Sequence, residues 1–379
     1  MLDLRDSCQG RNGNTKCFGQ RDGRTEMMHG RWTHWGSVAL LALFAAAGSS
    51  GEAFSQTEQT EAEVQKAAPA APQAETPKVT YDWKTSDKLG KGKPEREALI
   101  SDFCAKAKTS WEKALTRAEA EAILDDPRTA LLYPEKTVSI VAPSMLKRQR
   151  QGHVDLLKLF LKPERIDAGA AFMKEHDKLL AEVEKRHGVD REVIVSILMW
   201  ESKLGTITGD YFAFNSFVSQ AFFIDEANKA ALAKQDEKGL LDDKAQEKRV
   251  EKIRSRARAN LVVLVRVAKA RGIDPLAVKG SWAGALGFPQ FMPASLQWAE
   301  DGDGDGKIDL YTFSDSIASI GRYLKAHGFG KTPESHRKAV WGYNHEKGYV
   351  DGVLEFAAAL KARRQDAQKN GAAAGAEKR

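Results

Sequence analysis

Between about residue 96 and residue 365, apolar side chains recur every three to four positions, and the alternation that marks strands is scarce. The pattern predicts one mainly helical domain over 96–365. Three of its helices matter most. The segment DREVIVSILMWESKLG puts Ile194, Ile197, Leu198 and Glu201 on one stripe, with Asp190 expected as N-cap and Gly205 as the stop. Val193, Val195, Met199 and Trp200 make its other faces apolar, so the helix is expected to be buried on most sides, with a carboxylate closing an apolar stripe. A long helix is expected over about 243–271, charged in its first half and apolar from Leu261 to Val267. In DSIASIGRYLKAHG, Ile317, Ile320 and Leu324 form the stripe and Asp315 is the expected N-cap.

Outside this domain the periodicity stops. Residues 56–95 are rich in Ala, Pro, Glu, Gln and Lys and read as a disordered linker. Residues 366–379 read as a flexible basic tail. Residues 1–55 read as an N-terminal extension and signal peptide. Arg31 precedes an apolar run from Val38 to Ala47, small residues follow, and a cut is expected before Gln56. Met27 or Met28 is the expected true start. The run is short for a bilayer span, and no Cys follows it to carry a lipid. The mature chain is therefore expected in the periplasm without a stable membrane span. It would retain only Cys104, which excludes an intramolecular disulfide.

Charge removes one class of partner. The chain of 379 residues carries a net +6. Six Lys/Arg stand against four Asp/Glu in 1–35, and six against two in 361–379, which accounts for the whole excess. The domain itself is neutral, so a nucleic-acid-binding face is not implied.

Four features carry candidate chemistry. Burial of Glu201 would raise its pKa into the range of a general acid, unless it pairs with Lys203, Arg191 or another base. The Gly/Ala-rich stretch GSWAGALGFPQFMP, residues 280–293, allows close backbone approach to a ligand or forms a tight turn, and Trp282, Phe288 and Phe291 suit a sugar groove. WGYNHEKGY brings Tyr343, Asn344 and Tyr349 close together, either as hydrogen-bonding groups for a neutral polar ligand or as a capped helix start. EDGDGDGKIDLYTFSD spaces Asp301, Asp303 and Asp305 as the first three EF-hand ligands, with Gly306 at position 6 and the Lys307 carbonyl at 7. Position 12 is Thr312 rather than Glu, and Asp315 at position 15 is the closing candidate. A single such loop pinning a core helix reads as a structural calcium peg, against the alternative of a solvated acidic turn. The HExxH zinc pair and the GxSxG serine elbow are absent from the sequence.

The segments VIVSILMWESKLG, KGSWAGALGFPQFMPASLQWAEDGDGDGKIDL, SIASIGRYLKAHGF and VWGYNHEKGYV, in this order, resemble the lytic murein transglycosylases of the membrane-bound lytic transglycosylase B family. The resemblance covers about 165–365. It implies a lysozyme-like, mainly helical fold with a single EF-hand-like calcium loop, and action on peptidoglycan glycan strands. It implies a single catalytic Glu201 that cleaves the MurNAc–GlcNAc bond with substrate assistance, giving 1,6-anhydro-MurNAc. Ser281, Gln290, Tyr323, Tyr343, Asn344 and Tyr349 match positions the family uses around the substrate. Asp301, Asp303, Asp305, Lys307 and Asp315 match its calcium loop, and no organic cofactor is implied. The residues alone leave two rivals open: a muramidase-type hydrolase on the same fold, and a non-catalytic wall-binding scaffold.

Overall fold

The computed structural model describes residues 81–107, 109–146 and 157–376, with side chains up to 369. The expected signal peptide and most of the expected linker lie outside the described residues. Chain order is α1 (Thr85–Leu89), α2 (Pro94–Cys104), α3 (Arg117–Asp125), α4 (Pro134–Val141), α5 (Pro163–Glu175), α6 (Asp177–His187) and α7 (Arg191–Ser202). Then come β1 (Tyr211–Phe212), α8 (Ala213–Phe222), α9 (Ile224–Leu232), α10 (Asp243–Arg271) and β2 (Lys279–Gly280). A 3₁₀ turn at Pro293–Trp298 leads to α11 (Phe313–Ala326), α12 (Pro333–Tyr343) and α13 (Lys347–Ala376). The two short strands pair antiparallel, Tyr211 opposite Gly280 and Phe212 opposite Lys279. Among the described residues, no helix is long and apolar enough to cross a membrane.

Two apolar clusters dominate. One surrounds α7: Ile194, Ile197 and Leu198 pack with Val183 of α6, Ile317 and Ile320 of α11, and Val353 and Phe356 of α13. The other joins α2, α8 and α10 to the 280–310 region through Phe103, Phe217, Leu261 and Phe291. Tyr343 packs against both. Every residue of α7 from Glu192 to Ser202 is buried, as the all-round apolar pattern requires. The long charged-then-apolar helix runs from Asp243 to Arg271. Asp242 caps its start through the Ala245 N–H, and Gly272 ends it in the left-handed conformation.

Four boundaries differ from expectation. Helix α7 stops at Lys203 rather than Gly205: Lys203 and Leu204 are both left-handed, with φ of 50° and 54°. The Leu204 N–H donates to the Leu198 carbonyl at 3.0 Å, and the Leu204 side chain packs into the first cluster. Tertiary packing thus holds two non-glycine residues where glycine is usual. Asp190 does hold the expected N-cap position of α7, although its side chain makes no capping bond. The N-cap of α11 is Thr312, whose Oγ1 accepts from the Asp315 N–H, so Asp315 lies inside the first turn. The expected linker gives way before residue 95: Leu89 is buried, Trp83 stacks on Phe223 at 6.4 Å between centroids, and α1 has formed. At the other end α13 continues past residue 365 to Ala376.

Gly352 sets the approach of α13 to α7, because a Cβ there would collide with the Trp200 ring. Gly352→Ala should lose about 1–3 kcal/mol of stability, the usual cost of overpacking, measured by chemical denaturation.

Candidate active site

Glu201 sits one residue from the end of α7, with 2% of its surface exposed. Its Oε2 has no hydrogen-bond partner. The bases that might have neutralised it are engaged or turned away. Arg191 holds Asp177 at 2.7 Å and Glu184 at 2.8 Å, and Lys203 is exposed. Burial pushes the Glu201 carboxyl up to about 8 from 4.5, an effect that the nearby Tyr349 hydroxyl partly offsets. The same carboxyl raises the pKa of Tyr343 and Tyr349, after burial as the main cause, so both phenols stay protonated.

Three aromatic rings are arrayed beside it. Tyr349 meets the Trp200 ring edge-on at 5.3 Å, and Tyr343 lies parallel to Tyr349 at 6.4 Å. Tyr323 contacts Tyr343 at 4.8 Å. Their hydroxyls have different tasks. Tyr343 donates to the Pro289 carbonyl at 2.5 Å, fastening α12 to the Gly-rich stretch. Tyr323 donates to the Gly342 carbonyl at 2.7 Å. The buried Tyr349 hydroxyl lies by the Glu201 carboxyl, close enough to temper its shift, but makes no well-formed hydrogen bond.

The Gly-rich stretch faces the loop that follows α7. Gln290, with φ of 49°, donates from Nε2 to the carbonyls of Thr208 at 3.2 Å and Gly287 at 2.9 Å, leaving Oε1 buried and unpartnered. Ser281 closes a turn: its N–H donates to the Ala285 carbonyl at 2.8 Å, and its Oγ accepts from the Ala285 N–H at 3.1 Å. Gly284 is required there, because a Cβ at its φ of 89° would enter the Phe217 ring. Asn344 ends α12 through its backbone, and its Oδ1 is also buried without a partner. Unpaired buried polar atoms are uncommon in folded chains. Here Glu201, Tyr349, Gln290 and Asn344 each present one, all on segments linked through Tyr343. Ser281 Oγ accepts within the fold, which leaves its O–H to donate, while the Tyr323 hydroxyl is spent on Gly342.

The acidic loop brings three of its carboxylates together. Oxygens of Asp301, Asp303 and Asp315 lie within 4.8 Å of one another. Asp315, 3% exposed, accepts from the backbone of Gly302 at 2.8 Å and of Asp309 at 2.6 Å. Asp301 accepts from Gly306 at 2.8 Å and Gly304 at 2.6 Å, and these bonds, Gly306 first, lower its pKa. Asp305 is not part of the convergent three; it accepts from the Lys307 N–H at 2.7 Å. Sequence reasoning missed Ser314, whose Oγ donates to Asp303 at 2.8 Å, and the Tyr343–Pro289 clasp. Neither has a local sequence signature.

The profile of the family described as Transglycosylase SLT domain matches residues 104–351, a span that holds all of these groups. The chain belongs to that family. Within it, the chain is similar to membrane-bound lytic murein transglycosylase B of Escherichia coli strain K12, 30% identical over 175 residues, 46% of this chain and 41% of that protein. The chain thus aligns with less than half the length of that curated relative. Among solved structures it is similar to the Escherichia coli lytic transglycosylase SLT35 in complex with calcium, with a TM-score of 0.53 and 20% identity over 72% of this chain and 94% of that one. The same enzyme in complex with bulgecin A gives a TM-score of 0.52 at 20% identity, with the same coverage. These likenesses establish the mainly helical, lysozyme-like lytic transglycosylase fold.

The burial of Glu201 in this SLT domain has a thermodynamic signature. Below pH 4.5 the carboxyl is protonated in both folded and unfolded chains and costs little. As pH rises from 4.5 towards about 8, the unfolded chain ionises first, so the folded state loses stability. Above that the loss is constant. Glu201→Gln, which removes the titration, should therefore gain stability over the native chain progressively across this window. Denaturation midpoints at pH 4, 6 and 8.5 measure it, and a pH-independent difference would contradict the raised pKa.

Proposed function

We propose that this chain is a peptidoglycan lytic transglycosylase acting from the periplasm, with Glu201 as its single acid/base. The observation that carries the reading is a carboxyl buried without a counter-ion, protonated near neutral pH, at the meeting point of the aromatic and Gly-rich segments. A group of this kind suits donation to a leaving oxygen. Glu201 gives its proton to the glycosidic oxygen between N-acetylmuramic acid and N-acetylglucosamine as the bond from that oxygen to C1 breaks. The substrate's 2-acetamido group stabilises the electron-poor C1, the substrate-assisted route that needs no second carboxylate. Ionised Glu201 then takes the proton of the muramoyl 6-hydroxyl as its oxygen bonds to C1. The product is the 1,6-anhydro sugar, the enzyme is returned protonated, and water is not consumed.

The remaining groups have positioning roles in this reading. Asn344 Oδ1 and Gln290 Oε1, unpartnered in the fold, are free to accept from sugar hydroxyls and amides. The Tyr349 hydroxyl and Ser281 orient the acid and the acetamido group. Tyr343 and Tyr323 form the wall and fasten it.

The acidic loop fits a calcium ion, in line with SLT35, which has been solved with calcium. Convergence of three carboxylates within 4.8 Å is costly without a cation, and an all-oxygen set suits calcium. Asp301, Asp303 and Asp315 would hold it, with Asp305 and the Lys307 carbonyl completing the set. Bound there, the ion would have a structural part, neutralising the cluster and tying the loop to α11. No organic cofactor enters the reaction.

Digestion of purified peptidoglycan with residues 56–379, followed by mass spectrometry, tests the function. Anhydro-muropeptides are expected, with Glu201→Gln slower by a factor of about 10² or more. Reducing-end products heavier by one water would instead mean a hydrolase. The kcat/KM should fall as pH rises through about 8, where Glu201 loses its proton. For the loop, chelation should lower the melting temperature and added calcium restore it, with Asp315→Asn abolishing the response. An unchanged melting temperature would rule out the peg.

A further inference from the structure

The series of aromatic rings that ends beside Glu201 begins at a histidine. His327 closes α11, and its ring lies flat on Tyr323, 3.9 Å between centroids and 15° from parallel. Its Nδ1 stands 2.7 Å from the Tyr323 carbonyl. A carbonyl only accepts, so Nδ1 carries the hydrogen and Nε2 the lone pair. Trp298 meets the imidazole edge-on at 4.7 Å, and meets Tyr323 likewise at 4.9 Å. The same ring abuts α12, where a Cβ on Gly342 would stand 2.9 Å from Cδ2. Both of its neighbours bear on the site. The Tyr323 hydroxyl holds the Gly342 carbonyl, and Tyr343 and Asn344 follow directly. From Tyr323 the rings run through Tyr343 to Tyr349, beside the Glu201 carboxyl. One imidazole therefore packs the last turns of α11 and α12 together, at the end of the series away from the acid.

The charged side chains of the elements around it have other tasks. On α11, Arg322 donates to the Ala299 carbonyl at 3.2 Å, Lys325 is exposed, and Asp315 lies at the opposite end. The Pro293–Trp298 turn carries no charged residue. On α12, His336 bonds the Gly330 carbonyl at 2.8 Å, Arg337 pairs with Asp351 at 2.6 Å, and Glu334 and Lys338 are exposed. The titratable groups that face the series are Tyr323 and Tyr343, both kept protonated by burial. Burial is also the main influence on His327 and lowers its pKa from 6.5, with the bond to the Tyr323 carbonyl acting against it. At neutral pH the ring is uncharged and stacks as an aromatic surface.

We propose that His327 is a positioning residue for the Glu201 site: with one proton, on Nδ1, it holds Tyr323 and the end of α12 in place, and a second proton, taken from solvent onto Nε2, loosens them. A charged ring between Tyr323, Trp298 and Gly342 is drawn towards water, and Tyr343 and Asn344 lose the support behind them. Activity then has an acidic limit set by His327, distinct from the alkaline limit set by Glu201. The consequence for catalysis rests on the transglycosylase reading of Glu201. A single acid/base that works protonated supplies no acidic limit of its own, so a second titrating group is needed to produce one.

Rates on purified peptidoglycan between pH 4.5 and 9 test this with the native chain, His327→Gln and His327→Ala. Glutamine keeps an N–H for the Tyr323 carbonyl and does not titrate. The native kcat/KM should fall about ten-fold per pH unit on the acidic side of a midpoint below 6.5. His327→Gln should stay level there and approach the native rate above pH 7, while His327→Ala should lose about ten-fold in kcat at every pH. His327→Gln should also melt higher than the native chain below pH 6, because the unfolded native chain protonates this residue first. An acidic limb retained in His327→Gln, a native chain without one, a limb that coincides with native unfolding, or an unchanged His327→Ala would each overturn the inference. Should no chain release products at any pH, the transglycosylase reading fails, and NMR of ring-labelled tyrosines reads His327 by itself. Tyr343 and Tyr349 signals that move with a midpoint below 6.5 in the native chain and stay fixed in His327→Gln sustain it; signals fixed in the native chain, or moving in both, end it.

Discussion

The structure turns on keeping one carboxyl dry without giving it a counter-ion. Water would return Glu201 to an ordinary acid, and a neighbouring cation would push it lower still. The fold excludes both. Helix α7 is apolar on all faces and buried end to end, so solvent does not reach the carboxyl along the helix. Charges are confined to its start, where Arg191 pairs with Asp177 and Glu184, and Glu192 with Arg364 at 2.7 Å. Each pair lies more than two helical turns from Glu201, so the opposing requirements of solubility and acidity are met at opposite ends of one element.

The Gly-rich stretch has a different problem, since a Gly-rich chain holds no shape by itself. Its geometry is borrowed. Phe217 fills the space above Gly284, and Leu310 lies against Gly287, where a Cβ would collide with it. The Phe288 N–H donates to the Leu310 carbonyl at 2.8 Å, and Tyr343 clasps Pro289. Leu310 lies just ahead of α11, whose first turn holds Asp315, so the acidic cluster and the Gly-rich turn share one short run of backbone. Order in the loop is order in the Gly-rich stretch.

Much of this was legible along the chain, for definite reasons. The stripe ending in Glu201 is local, and its meaning depends only on helical period. The 243–271 helix has an aspartate cap and a terminal glycine, both local signals. The acidic loop shows in the spacing of its aspartates. What was not legible depends on contacts distant in sequence. Lys203 and Leu204 adopt left-handed backbone because Leu204 is packed by the core, which no dipeptide rule foresees. Trp83 looked like part of a polar linker because the ring it stacks on, Phe223, lies far along the chain. Asp315 looked like a cap because Thr312, also able to cap, lies three residues earlier and takes that role. Of the site residues, Tyr343 was read as a ligand contact, while its hydroxyl is spent on Pro289.

Helix α13 supplies Tyr349 and seats Gly352 against Trp200, and Ser196 of α7 donates to its Val353 carbonyl at 2.7 Å. This cover over Glu201 follows all the other described elements in the chain, so it leaves the ribosome after the elements it packs against. Until it docks, Glu201 remains hydrated and ionised, a surface glutamate with no unusual proton affinity. The raised proton affinity of Glu201 is thus set by the last step of assembly, and a nascent or partly threaded chain carries the residue without it.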